Sequence, residues 1–388
     1  MGAEGEKQEV HVLVVAFSSQ GHINPMLRLG KRLTSKGLRV TLATTEIART
    51  RILSHLAEKS TTTDTTIAAD AAPTTTTIYS VSGIRLAFYS DGLSLDYDRK
   101  NNLDYYMETL QKCGPINLSN IMQTLPKFSC IITNPFVPWA ADVAANHNIP
   151  CALLWIQPCT IYAIYYRFYN SLNSFPIKEN PEMSVELPGL PLLHTQDLPS
   201  FVLPSNPFGS FPKMFSNMFQ SLNKFKWILG NSFYELEKAV IDSVDELHPI
   251  KPVGPLVPPS LLGQDPSFDI GIEMWKSEGT CMEWLNQQNP DSVIYISFGS
   301  ITVLSSKQME NIAMGIKSSK FGMDGEGVVN SEEIESCIKE MTSGPRGEEI
   351  KKKALKLKQA ARDAVAEGGT SDRNIQAFVD EFIAVSCN

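Results

Sequence analysis

A chain of 388 residues, 43% hydrophobic and 20% charged, is globular in composition and too long for one ordinary core, which implies two domains. A net charge of -8 without any basic stripe excludes nucleic acid as a partner. Seven cysteines without a CxxC pair, six scattered histidines, no signal-like start and no apolar run of spanning length predict a cytoplasmic protein with reduced thiols, no metal site and no membrane span.

In chain order, Val12 to Phe17 is a short β-branched run, as expected for a strand buried on both faces. Asn24 is placed to cap the next helix, with Pro25 in its first turn; Gly37 ends that helix and Leu38 to Ala43 is the second strand. His22 then falls in the loop at the carboxyl end of the first strand, where open α/β sheets bind ligands. Such a histidine either satisfies a backbone group or acts as a base, since its side chain titrates near neutrality.

Ser60 to Thr77 is a threonine-rich loop. Strands are predicted at Ile84 to Phe88, Ser129 to Thr133 and Cys151 to Ile156, with helices over AADVAANHN and TIYAIYYRFYNSL. This alternation predicts a doubly wound sheet. Phe175 to Pro212 carries eight prolines and reads either as the wall of an apolar pocket or as a surface excursion. KWILGNSFY resumes a strand, ELEKAVIDSV a helix, and the six prolines of Pro249 to Pro266 read as a linker.

Beyond it, CMEWLNQQ and Ser305 to Ile316 are helical, and Ser292 to Phe298 is a strand running into Gly299-Ser300, a corner suited to an anion. Neither GxGxxG nor GxxxxGK[ST] occurs, which disfavours an oxidoreductase or a P-loop enzyme on the same topology. FGMDGEGVV is a turn and short strand, and Ser331 to Met341, Pro345 to Glu367 and a last helix capped by Ser371 follow. Residues 257 to 388 number 132, whereas six parallel strands at roughly 30 residues per βα unit need about 180. The second half is short of sheet.

Taken together, QGHINPMLRLGKRL, IITNPFVPWAADVA, WILGNSFYELE, PVGPL, SVIYISFGS and EGGTSDRNIQAFVDE resemble the plant family-1 UDP-glycosyltransferases. The resemblance implies an α/β fold of two Rossmann-like domains (GT-B type), the C-terminal one truncated. Residues 1–248 would form the acceptor-binding domain, 249–266 a proline-rich linker, and 267–388 an incomplete donor domain whose last helix is available to pack back on the first. It implies inverting transfer of glucose from the co-substrate UDP-glucose to a small aromatic acceptor by a monomer without a cofactor. By the same resemblance His22 is the general base, Asn134 its partner, Gln20, Gly21, Phe136 and Gln157 line the acceptor site, and Gly299 and Ser300 meet the donor.

Two departures from the family pattern matter. Asn134 stands where the family usually has an aspartate; asparagine can orient an imidazole but cannot stabilise imidazolium as a carboxylate does. A carboxylic acid, already ionised at pH 7, loses least by that change, so an aromatic carboxylate is the first acceptor class and a phenolic the second. Second, the family's donor signature after SFGS (a tryptophan and glutamine, HCGWNS, a terminal aspartate-glutamine pair) is missing, as though a segment had been removed near Lys320 to Met323. An inactive isoform that only binds acceptor is the alternative.

Overall fold

The computed structural model describes residues 10–59, 79–206, 209–265, 269–272, 280–289, 304–318, 321–324, 328–330 and 345–386, with isolated positions 293, 295 and 297. The chain divides into two units, Met1–Lys276 with Ala360–Asn388, and Ser277–Gln359.

The first unit is built on eight strands: β1 (His11–Val15), β2 (Arg39–Thr45), β3 (Tyr79–Val81), β4 (Ile84–Tyr89), β5 (Cys130–Thr133), β6 (Cys151–Trp155), β7 (Trp227–Gly230) and β8 (Lys251–Pro252). They lie in the order β3-β4-β2-β1-β5-β6-β7-β8. Every pairing is parallel except the β3–β4 hairpin, which the sequence reading did not include. The strands alternate faces: Leu13 and Val15 enter one core, Val12 and Val14 the other. Helices cover both faces, as an all-buried parallel sheet requires. These are α1 (Gln20–Ser35), α2 (Glu46–Lys59), α3 (Leu103–Gln123), α4 (Ala140–Asn146), α5 (Cys159–Tyr169), α6 (Ser210–Gln220) and α7 (Tyr234–Asp245). The sheet reverses direction of growth between β1 and β5, which makes the carboxyl ends of those two strands a topological switch point.

Three local expectations are corrected. The first helix begins at Gln20, not after Asn24, because Ser19 takes the extended N-cap conformation and its carbonyl accepts the His22 and Ile23 amides at 3.0 and 2.9 Å. His22 therefore stands in the first turn of α1 rather than in a loop. Pro25 lies within the helix, where it withholds only the amide that would have met the exposed Gly21 carbonyl. Asn24, instead of capping, clamps a distant backbone: its Oδ1 accepts the Ile272 amide at 2.8 Å and its Nδ2 donates to the Ile272 carbonyl at 3.2 Å. Arg28 and Arg32 donate to the carbonyls of Leu256, Ile270, Val253 and Pro255, so the proline-rich stretch lies bonded along α1.

The chain's last helix, α11 (Thr370–Ser386), belongs to the first unit. Ser371 is inside it and not its cap; the Ser371 hydroxyl donates to the Gly254 carbonyl at 2.6 Å. Phe378 and Phe382 are buried against the Trp227 ring, with centroids 5.0 and 6.4 Å away. Between α7 and α11 in sequence come α8 (Thr280–Asn286), α9 (Ser306–Ser318), the antiparallel hairpin of β9 (Phe321–Asp324) and β10 (Val328–Asn330), and α10 (Pro345–Val365). The threonine-rich loop, most of the strand expected at Ser292 to Phe298, the Gly299-Ser300 corner and the helix expected at Ser331 to Met341 lie outside the described residues.

Candidate active site

The switch point brings two side chains together. His22 leaves the first turn of α1 just after β1, and Asn134 follows β5 directly. Asn134 is wholly buried, and its conformation is fixed by its own turn: Oδ1 accepts the Phe136 amide at 2.9 Å while its carbonyl accepts the Val137 amide at 3.1 Å. The preceding Thr133 hydroxyl donates to the Val137 carbonyl at 2.8 Å and tightens the same corner.

Phe136, held by this turn, meets the His22 ring edge-on with centroids 4.4 Å apart, and Phe17 approaches the imidazole from another side at 5.2 Å. The wall continues through Phe211 and Phe215, 5.5 and 5.6 Å from Phe136, and Phe201 stacks on Phe211 at 5.5 Å. Such a wall suits an aromatic ring and excludes water. Its apolar surroundings also act on the imidazole: burial lowers the His22 pKa to about 4, against a smaller opposing influence of the Asn134 side chain. His22 is therefore neutral at pH 7. The ring is partly exposed overall, but its Nδ1 is sealed from solvent and has no hydrogen-bond partner, as is Asn134 Nδ2.

The other predicted residues are placed around this pair. Gln20 and Gly21 share the first turn with His22, and a Cβ added at Gly21 would meet nothing within 4 Å, so the backbone there borders open space. Gln157 lies one strand further along, between β6 and α5, with a buried, unpartnered Oε1. Gly299 and Ser300 lie outside the described residues. Phe136 also lines a cavity of about 530 Å³ shared with Met107, Trp139 and Met214 and flanked by Lys112 and Lys213. His22 does not line that cavity, although Phe136 lines it and also contacts the His22 ring.

Three contributors escaped the sequence reading. Ser18 Oγ and the Tyr106 hydroxyl are 2.8 Å apart and tie the β1–α1 corner to α3, a helix marked in the sequence only by the spacing of Leu103, Tyr106, Met107 and Leu110. Phe211 and Phe215 come from α6, at the end of the proline-rich stretch. Glu237 fastens the start of α5 from α7: its carboxylate accepts the Cys159 and Thr160 amides at 2.9 and 2.8 Å and the Thr160 hydroxyl at 2.7 Å. Among the described residues no group of His, Cys, Asp and Glu is arranged to hold a metal, and no helix is long and apolar enough to cross a membrane.

Comparison with known proteins agrees with this architecture. No protein-family model matches the chain. UDP-glycosyltransferase 84B1 of Arabidopsis thaliana is 34% identical, the match covering 97% of this chain and 98% of the relative. A gallate 1-beta-glucosyltransferase of Quercus robur is 31% identical over 98% of this chain and 91% of its own length. Among solved structures, Os79 from O. sativa in complex with UDP superposes with a TM-score of 0.79 at 22% identity, covering 96% of this chain and 100% of that one. Phytolacca americana UGT2, complexed with UDP-2fluoro-glucose and pterostilbene, gives a TM-score of 0.70 at 16% identity, covering 96% and 99%. At those identities the structures speak for the fold alone, which is the α/β fold of the GT-B type. The relatives supply the family: this chain is a member of the plant family-1 UDP-glycosyltransferases.

Proposed function

We propose that the site transfers glucose from UDP-glucose to a small aromatic acceptor, a carboxylic acid first and a phenolic second, with His22 as the residue that meets the acceptor oxygen. In this reaction the acceptor oxygen attacks the anomeric carbon from the side opposite UDP. A carbon–oxygen bond forms, the bond to the diphosphate breaks, UDP leaves with the electron pair, and the configuration inverts. A phenolic hydroxyl must also give up its proton, for which His22 is the available base; a carboxylate has none to give. The observation that carries the reading is a neutral imidazole at the switch point, walled by Phe17 and Phe136. The gallate glucosyltransferases among the relatives favour a carboxyl acceptor.

A second reading, acceptor binding without turnover, is favoured by one observation about length. The match to UDP-glycosyltransferase 84B1 runs over 474 aligned positions, more than the 388 residues of this chain, which supports a segment missing from within it; this reading puts that segment in the donor half near Lys320. Among the described residues between Ser277 and Gln359 the only sheet is the two-stranded hairpin β9–β10. Calorimetric titration of the full chain with UDP-glucose, and separately with cinnamic acid, tests both. Saturable binding of both ligands with formation of a glucose ester supports the transferase. Binding of the acid alone supports the second reading, and binding of neither refutes the site.

A further inference from the structure

The geometry points to a second, non-catalytic binding site in the first unit: the cavity between α3 and α6 takes an aromatic carboxylate, its ring on Met107, Trp139 and Met214 and its charge met by Lys112 and Lys213. This inference does not rest on the transferase reading, because neither the imidazole nor a sugar donor takes part in it.

The cavity owes its shape to a tie between two helices. Asp104, in the first turn of α3, reaches across to the start of α6, where its carboxylate accepts the Ser210 amide at 3.1 Å, the Gly209 amide at 3.5 Å and the Ser210 hydroxyl. The turn between β5 and α4 supplies Phe136, Pro138 and Trp139 to the same lining. Trp139 is fixed in place: a Cβ at Gly114 would come within 2.5 Å of its ring, and Tyr89 meets it edge-on at 6.0 Å. The space left is about 530 Å³, within the range of about 300–1,000 Å³ in which small-molecule sites fall.

The lining suits a flat ring. Met107, Trp139 and Met214 are each less than a tenth exposed, so they form a packed floor and not a set of protruding side chains. The two methionines offer polarizable sulfur to an aromatic ring, and Trp139 and Phe136 offer aromatic partners.

The rim carries four charged groups: Asp104, Glu108, Lys112 and Lys213. Asp104 is already spent on the first amides of α6. Neither Lys112 nor Lys213 has a hydrogen-bond or ion-pair partner among the described residues, and Glu108, one helical turn before Lys112, pairs with neither. Two ammonium groups against one free carboxylate leave the mouth positive, in a chain whose net charge is -8. A neutral aromatic compound would leave both cations unpaired, and an aliphatic dianion would find no partner in the methionine floor. An aromatic acid satisfies both ends. His22 is not on the lining, so the acid is held here without the base.

A binding curve alone would not distinguish this site from one at His22, but the methionines do. The full chain is labelled with carbon-13 at its methionine methyl groups and titrated with cinnamate, the Met107 and Met214 signals being assigned by their loss in Met107→Leu and Met214→Leu. Both signals are expected to shift saturably, while that of Met26, in the core on the other face of the sheet, stays in place. The double variant Lys112→Ala, Lys213→Ala, altered only at exposed positions, should bind cinnamate about five- to tenfold more weakly. In His22→Gln the shifts and the affinity should persist. Silence of both methyl signals overturns the inference, as does an equal response to cinnamyl alcohol, which lacks the charge. Loss of the response in His22→Gln overturns it too, since the cavity would then be part of the site at His22. Shifts at Met107 and Met214 without formation of any glucose ester refute the transferase reading and leave this site standing.

Discussion

Glu237 provides a quantitative test of how the start of α5 is held. Helix α5 starts at Cys159 behind Pro158, whose side chain supplies no cap, so its first amides need an acceptor from elsewhere. Glu237 provides it from 77 and 78 residues away, with both carboxylate oxygens in use. To aim them, α7 gives up its regularity at this residue, where φ is -126° and ψ 26°. Hydrogen bonds to a charged group contribute about 1.5–3 kcal/mol each, and an anion at a partly buried helix N-terminus up to about 2 kcal/mol. The contributions overlap, and water replaces part of the bonding to a half-buried site. For Glu237→Ala we therefore expect a loss of about 3 kcal/mol, and for Glu237→Gln, which keeps an acceptor but sets an N–H against a backbone amide, about half of that. Urea unfolding followed by the fluorescence of the buried Trp139 and Trp155 measures both, with an unchanged m-value as control. A loss below about 1 kcal/mol in Glu237→Ala would refute the view that this carboxylate caps α5.

Other expectations concern pH, the aromatic wall and the last helix. Burial lowers the pKa of both His11 and His22 from 6.5 to about 4, so the unfolded chain takes up these protons before the folded one does. Stability should be complete above pH 6.5, decline as pH falls towards 4 and level off below, by roughly 3 kcal/mol for buried His11 and less for partly exposed His22; a flat profile of unfolding midpoints across that window would contradict it. Phe136→Ala should cost about 2–4 kcal/mol and let water reach the imidazole, moving the His22 pKa back up towards 6.5 in an NMR titration. Phe382→Ala, at a fully buried position against Trp227, should cost about 3–5 kcal/mol in the same urea assay, whereas a surface helix would lose almost nothing.

The sequence disclosed those parts of the fold whose cause is local. β1, β5 and β6 are short β-branched or apolar runs with turn residues at their ends, and their positions follow from that pattern alone. Helix α3 was less visible because Gly114 and Pro115 interrupt it. Gly114 is there for a reason outside the helix: a Cβ would come within 2.5 Å of the Trp139 ring. The start of α1 was misplaced because Asn24-Pro25 carries the local signature of a helix start, while the long-range clamp on Ile272 claims the asparagine. In the site, His22 was legible from its place after the first strand. The engagement of Asn134 Oδ1 by the Phe136 amide was not, because that depends on a turn three residues long whose hydrogen bonds only the folded backbone defines.

The closure of the first unit bears on what a shortened donor half would do. A parallel sheet ending at the two-residue strand β8 leaves an edge and one face in need of cover. Helix α11 supplies both: Asn374 Nδ2 donates to the Pro252 carbonyl at 2.8 Å, Lys36 pairs with Asp372 at 2.8 Å, and Trp227 Nε1 donates to Glu381 at 2.8 Å beside the buried phenylalanines. The groups that cover this edge therefore lie within the unit that carries His22 and Asn134. Loss of strands between Ser277 and Gln359 removes none of these contacts, so such a loss should abolish donor binding without unfolding the acceptor pocket. On the proposed reading turnover and acceptor binding are for that reason separable, and a failure of catalysis would leave the placement of His22 and Asn134 at the switch point untouched.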